Sequence, residues 1–237
     1  MPQGTREKIM TAALQLFGER GFAGTPVTAI EKAAGLTGGT GALYRHFGSK
    51  NELLVESVRW CLNDWGPYAQ FASPGYSAVG YIEQRHPDAT LAEKVEALCR
   101  LGLVRADHIR DVRRIMLRDN SVPPGLLDSF RADDHDVRVA LVARTLRDLA
   151  VSDRPGAPSE PDAWRPEAEV LVGAMANLWL MHDLYGGDRP CGIDFDAYIR
   201  AVGVMLAARI RDTHHRTGED PSWEQDTSPS SAADSEA

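Results

Sequence analysis

Apolar side chains recur at steps of three and four along most of the chain, and no stretch alternates apolar and polar residues as a half-buried strand would. The pattern predicts an all-α protein. Ile9, Ala12, Ala13, Leu16 and Phe17 make one apolar stripe, and Gly21, which tolerates positive φ, ends that first helix. Thr25 and Pro26 open a second: a threonine hydroxyl can cap free amides, and proline at the first helical position gives up no hydrogen bond. Val27, Ile30 and Ala34 form its buried side and Gly35 its end. A turn rich in Gly and Thr leads to a short helical segment over 41–47, in which Leu43 and Phe47 are the core anchors. Ser49 to Glu52 reads as a capping box. Leu53, Leu54, Val58 and Leu62 carry the fourth helix towards Trp65, Gly66 and Pro67.

Residues 66–89, rich in Gly, Pro, Ser and Tyr, read as an irregular connection. Thr90 to Glu93 is a second capping box, opening a helix with Leu91, Val95, Leu98 and Leu101 on one side. Helices fit 108–119 and 124–150, and the segment 152–166, with four prolines, reads as a loop. Two strongly apolar helices close the pattern. The first covers 166–185, with Val170, Leu171, Ala174, Leu178, Met181 and Leu184. The second covers 194–213, with Phe195, Tyr198, Val202, Met205, Leu206 and Ile210. Residues 214–237 are polar and cannot bury enough apolar surface to fold, so they read as a disordered acidic tail.

Charge changes this picture only when divided. The chain carries a formal net charge of −8, yet residues 1–53 hold six basic and four acidic groups, a local +2 against −10 for the rest. A local positive excess matters more to a phosphate backbone than the total does. Cys61, Cys99 and Cys191 are widely separated and odd in number, so free thiols are expected rather than a disulfide framework. No apolar run is long enough to span a membrane, and the first residues lack a signal core, which implies a cytoplasmic protein. The phosphate-binding loop, the nucleophile-elbow motif and the zinc-protease motif are all missing, so no enzymatic role, cofactor or metal is expected. The run from Asp133 to Asp136 reads as a solvated charge run, because consecutive helical residues cannot converge on one cation.

Three short helices followed by a capped fourth fit a helix-turn-helix with a supporting helix in front, roughly over Thr25 to Phe47. The residues sharpen this. Arg6, Ile9, Ala12, Ala13, Leu16, Phe17, Gly21, Phe22 and Thr25 stand in a spacing that resembles the opening of the TetR/AcrR family of regulators. So do Val27, Ile30, Ala33, Ala34, Gly35, Leu36 and Thr37, and then Leu43, Tyr44, Arg45, His46, Phe47, Ser49, Lys50, Glu52 and Leu53. The resemblance covers nearly all of residues 6–54. It implies a helix-turn-helix DNA-binding domain over 1–50 and a larger helical regulatory and dimerisation domain over 51–213. One departure stands out: from Gly35 to Tyr44 the family takes seven steps and this chain takes nine. Either Thr37 or Thr40 is then the N-cap of the recognition segment.

By resemblance, Thr25 and Thr28 lie near a phosphate at the start of helix two. Thr37, Thr40, Gly41 and Ala42 lie at the reading tip, Tyr44 and His46 reach phosphate or base edges, Arg45 pairs with guanine or phosphate, and Lys50 binds phosphate. The family further implies a homodimer on a palindromic double-stranded operator, joined through the last two helices, and a small-molecule effector that releases the DNA. Trp60, Trp65, Phe71, Met116, Trp179, Met181, His182 and Tyr185 are the candidates for lining the effector pocket. His182 and Asp183 form the most distinctive polar pair among them, since a buried imidazole needs a partner. The competing readings are an activator or protein-partnering regulator of the same fold, and a helical small-molecule carrier that does not bind DNA.

Overall fold

The computed structural model describes residues 4–39, 41–118, 122–186, 192 and 194–212. Among them every regular element is helical. α1 (Thr5–Arg20), α2 (Val27–Ala33) and α3 (Lys50–Asn63) surround a first core, with a single 3₁₀ turn at Leu43–Arg45 between the last two. Ile9, Phe17, Ile30, Leu43, Phe47, Leu53, Leu54 and Leu62 are all buried there. α2 ends in a double-bonded C-cap: the Gly35 N–H donates to the Lys32 carbonyl (3.1 Å) and the Leu36 N–H to that of Glu31 (2.8 Å), with Gly35 at φ +75°. Ser49 caps α3 as expected, accepting from the Glu52 N–H at 3.0 Å, while the Glu52 carboxylate reaches back to the Gly48 N–H.

Packing does not stop at residue 50. Ile109, Val112 and Ile115 of α6 (Arg110–Arg118, with Ile109 just before it) and Leu126 of α7 (Pro124–Phe130) complete the head's core. α6 lies directly against α1, close enough that a Cβ on Gly18 would stand 3.2 Å from the Asp111 backbone.

The second core is built from α4 (Val79–Arg85), α5 (Leu91–His108), α8 (Asp136–Asp153), α9 (Arg165–Tyr185) and α10 (Phe195–Arg211). α5 starts at the expected Thr90–Glu93 box, and Asp194 caps α10 through the Ala197 N–H at 2.9 Å. α7 runs into α8 through one π-helical turn, Arg131–His135. Two expectations need correction. Residues 66–89 are not irregular throughout: Gly66–Ala72 is 3₁₀ and α4 is helical. Tyr68, Phe71, Tyr76 and Tyr81 stack there, with centroids 5.1–6.3 Å apart, and the buried Ala78 N–H is taken by Thr145 Oγ1 at 3.0 Å. Likewise the proline-rich loop holds a 3₁₀ turn, Pro161–Trp164, anchored by the buried Trp164 indole donating to the Pro158 carbonyl. The tail over 214–237 lies outside the described residues.

Candidate nucleic-acid interface and internal cavity

The reading tip departs from a plain recognition helix. The expected helix over 41–47 shrinks to the single 3₁₀ turn, because Gly39 (φ +79°) and Gly41 (φ +68°) hold left-handed backbone conformations that no α-helix can contain. What shapes the lengthened turn instead is Glu31. Its side chain is buried, with one oxygen accepting the Leu43 N–H (3.0 Å) and the other the Gly39 N–H (2.8 Å). The bond from Leu43 and then that from Gly39 hold its carboxyl below the usual carboxylate range, against the opposing effect of burial. Sequence periodicity had shown Glu31 only as a charge beside the buried Ile30.

On this frame Leu43 and Phe47 point inward, fully buried, while Tyr44, Arg45 and His46 are exposed. Their backbone N–H groups are used up inside the turn, donating to the carbonyls of Gly41, Ala42 and Leu43, and none of the three side chains has a hydrogen bond or ion pair among the described residues. Thr28 and Thr37 are exposed, Gly41 and Ala42 are half-buried, and Thr40 lies outside the described residues. Two members of the candidate set are held differently from expectation. Thr25 is fully buried and caps nothing; its hydroxyl sits 2.7 Å from the Gly21 carbonyl and 3.1 Å from that of Leu16, and Pro26 is the N-cap of α2. Lys50 donates to the Phe22 carbonyl, its ammonium 4.3 Å from the Phe22 ring centroid, which pins the start of α3 to the α1–α2 turn.

The second candidate site is an apolar cavity of about 130 Å³ between α5, α8, α9 and the 3₁₀ segment after α3. Trp65 and Phe71 line it, as the sequence suggested, together with Leu98, Leu101, Val142, Leu171 and Met175. The other six candidates do not. Trp60 and Met116 pack against the head's core, and Trp179 is buried beneath the Arg113 guanidinium at 5.2 Å. Met181 is half-buried elsewhere on α9, and Tyr185 is 65% exposed. His182 is not the buried imidazole expected: it is exposed, edge-on to Phe195 with centroids 5.3 Å apart. Its neighbour Asp183 instead takes a forked pair from Arg114, with Nε at 3.0 Å and NH2 at 2.6 Å, tying α9 to α6.

One end of the cavity is polar. Arg105 and Arg138 line it, and both donate through Nε to Asp134, at 3.0 and 2.8 Å. Asp134 is fully buried, which corrects the reading of residues 133–136 as a wholly solvated charge run. The π-helical turn adds a residue to the helix and turns Asp134 inward. Arg105 also donates to the carbonyls of Asp64 (2.8 Å) and Leu62 (2.7 Å), at the C-terminal end of α3. A wall of the cavity thus touches the end of a helix from the head.

Residues 9–56 match the family described as bacterial regulatory proteins, tetR family. Over 207 residues the chain is 36% identical to the HTH-type transcriptional repressor KstR2 of Rhodococcus jostii, covering 79% of this chain and 93% of that protein. In fold it is similar to the fatty acid degradation regulator FadR of Bacillus halodurans (TM-score 0.55, 19% identity, 87% of this chain and 97% of that one). It is likewise similar to FadR of Bacillus subtilis in complex with stearoyl-CoA (TM-score 0.51, 16% identity, 88% and 98%).

Proposed function

Because the chain belongs to the TetR family of bacterial regulators, we propose that it is a ligand-responsive transcriptional repressor that binds a palindromic operator as a homodimer and leaves it when a small molecule fills the cavity. The observation that carries this reading is Arg105, which lines the cavity and holds the last carbonyls of α3. A ligand that displaces the α5 end acts on α3 directly and, through α6 against α1, on the rest of the head. The repressor reading follows the relative from Rhodococcus jostii. Release of DNA requires that the ligand favour the arrangement in which the two heads no longer match successive major grooves.

Pairing is supported by the outer face of α9 and α10, where Val170, Val204 and Met205 are 62%, 56% and 68% exposed. Apolar side chains concentrated this way on two adjacent helices suit burial against a second copy. A single head offers few free cations, so two copies together supply the affinity. The candidate DNA contacts are the exposed Tyr44, Arg45, His46, Thr28 and Thr37, with Thr40, Gly41, Ala42 and Lys50 around them and the Thr25 backbone behind.

Fluorescence anisotropy with DNA from the protein's own promoter region tests the reading. Two chains per palindrome are expected, with log K falling against log salt by about 0.9 per phosphate neutralised. Arg45→Ala is expected to weaken the complex by roughly 1–3 kcal/mol. Absence of any complex at low salt, or a complex that Arg45→Ala leaves unchanged, refutes the reading.

A further inference from the structure

The polar end of the cavity carries more positive charge than its structure neutralises. Arg105 and Arg138 line it, Arg113 lies near them outside the lining, and each of the three is at least nine-tenths buried, with the Asp134 carboxylate close by. Arg105 is fully engaged, with Asp134 and two carbonyls as acceptors. Arg138 gives only Nε to Asp134, which leaves its two terminal nitrogens without an acceptor among the described residues. Arg113 Nε is buried with no partner there at all. Burial, with Arg138 beside it, pushes the Arg113 guanidinium down to about 10, as expected where cations crowd one another in a poor solvent. Buried charge is costly unless it is paired, so this cluster favours an incoming anion.

The rest of the cavity fixes what that anion is attached to. Leu98, Leu101, Leu171 and Met175 offer only apolar surface, in a space of about 130 Å³. A dry apolar cavity of ~150 Å³ is known to accept a benzene ring. From this juxtaposition we infer that the cavity takes a compact organic acid, its apolar body against α5 and α9 and its carboxylate on the terminal nitrogens of Arg138. The inference rests on the reading that the cavity holds the effector, and deepens it by naming the ligand class. A planar, forked guanidinium matches a carboxylate in two parallel hydrogen bonds, which a neutral hydroxyl cannot reproduce.

Calorimetric titration of the full chain with phenylacetate and with 2-phenylethanol, a neutral molecule of similar shape, tests this. The acid is expected to bind about 10- to 100-fold more tightly than the alcohol, the value of charged hydrogen bonds over neutral ones. Arg138→Met should abolish that preference, bringing the ratio of the two affinities close to one, and Arg138→Lys should restore part of it. Thermal unfolding of each variant checks that it is folded, and the comparison within the native protein stands without any variant. Equal affinities for acid and alcohol, or no binding of either at millimolar concentration, overturns the inference. The same ligands added to the operator complex separate the two readings. An acid preference with no effect on DNA leaves the inference standing and removes effector release; release by acid and alcohol alike does the reverse.

Discussion

Replacing Arg105 with methionine cuts the tie between cavity and head while keeping the apolar stem. The native side chain makes three hydrogen bonds, to Asp134 at 3.0 Å, the Asp64 carbonyl at 2.8 Å and the Leu62 carbonyl at 2.7 Å. Its guanidinium also lies 4.1 Å from the Trp65 ring centroid. Breaking a buried ion pair costs about 3–5 kcal/mol when the orphaned charge has no other partner. Asp134 keeps Arg138 at 2.8 Å, so the ionic part falls below that range. The two carbonyls left without a donor add roughly 1 kcal/mol each. The expected loss is about 4 kcal/mol in total. Arg138→Met removes one charged hydrogen bond and no carbonyl contact, and should cost about 1.5–2 kcal/mol. Urea unfolding followed by circular dichroism, at one fixed protein concentration because pairing couples to stability, ranks the two. The reasoning fails if Arg138→Met costs as much as Arg105→Met, or if Arg105→Met costs under ~1 kcal/mol.

Glu31→Gln should loosen the reading tip: an amide keeps one acceptor oxygen for two backbone N–H groups, so operator affinity falls several-fold in an anisotropy assay and the melting temperature falls with it. The Glu31 pKa is depressed in the folded head, so its contribution is present above the ordinary value of 4.5 and is lost as pH falls through the lower folded value. In an NMR titration the Gly39 and Leu43 amide resonances should therefore shift together with a midpoint below 4.5, and a midpoint at or above it contradicts the geometry. Burial pushes the Cys61 thiol up to about 11 and the Cys99 thiol up to about 12, so neither should be alkylated by iodoacetamide at neutral pH until urea is added. Peptide mass spectrometry showing prompt labelling of either in the native protein contradicts that burial.

How much of this was legible in the sequence follows the range of the interactions involved. Caps, stripes and helix ends are local, and Ser49, Thr90, Gly21 and Gly35 did in the structure what their neighbours in sequence imply. Leu43 and Phe47 were legible as anchors by the same logic. The two extra residues before Tyr44 were visible as a departure, but their consequence was not. It depends on Glu31, eight and twelve residues away from the amides it binds. Thr25 shows the same limit: its place before a proline suggests a cap, and only the return of the chain beside α1 gives its hydroxyl the carbonyls of Leu16 and Gly21. Residues 66–89 were misread because their order comes from Tyr68, Phe71 and Tyr81 meeting edge-on across the segment and from Thr145 on a distant helix.

The cavity was harder still, because size and aromaticity alone do not say which side of a helix faces it. Of the residues picked on that basis, Trp65 and Phe71 face the cavity, and Trp60 and Trp179 do not. The polar pole was hidden by a sound local rule. Four consecutive residues, Asp133 to Asp136, belong on a wet surface if the helix is regular, and the three besides Asp134 are partly exposed. A π-helical turn breaks the rule by changing the angular step, and it brings Asp134 to face Arg105 and Arg138. Such a turn lengthens the backbone bonding ring and is retained mainly where the redirected side chain has a use. Arg105 and Arg138 give it one. Without Asp134 they would be buried cations with no counter-charge, and with it they remain one charge in excess beside an apolar space. The two terminal nitrogens of Arg138, left without an acceptor among the described residues, are where a carboxylate would restore neutrality.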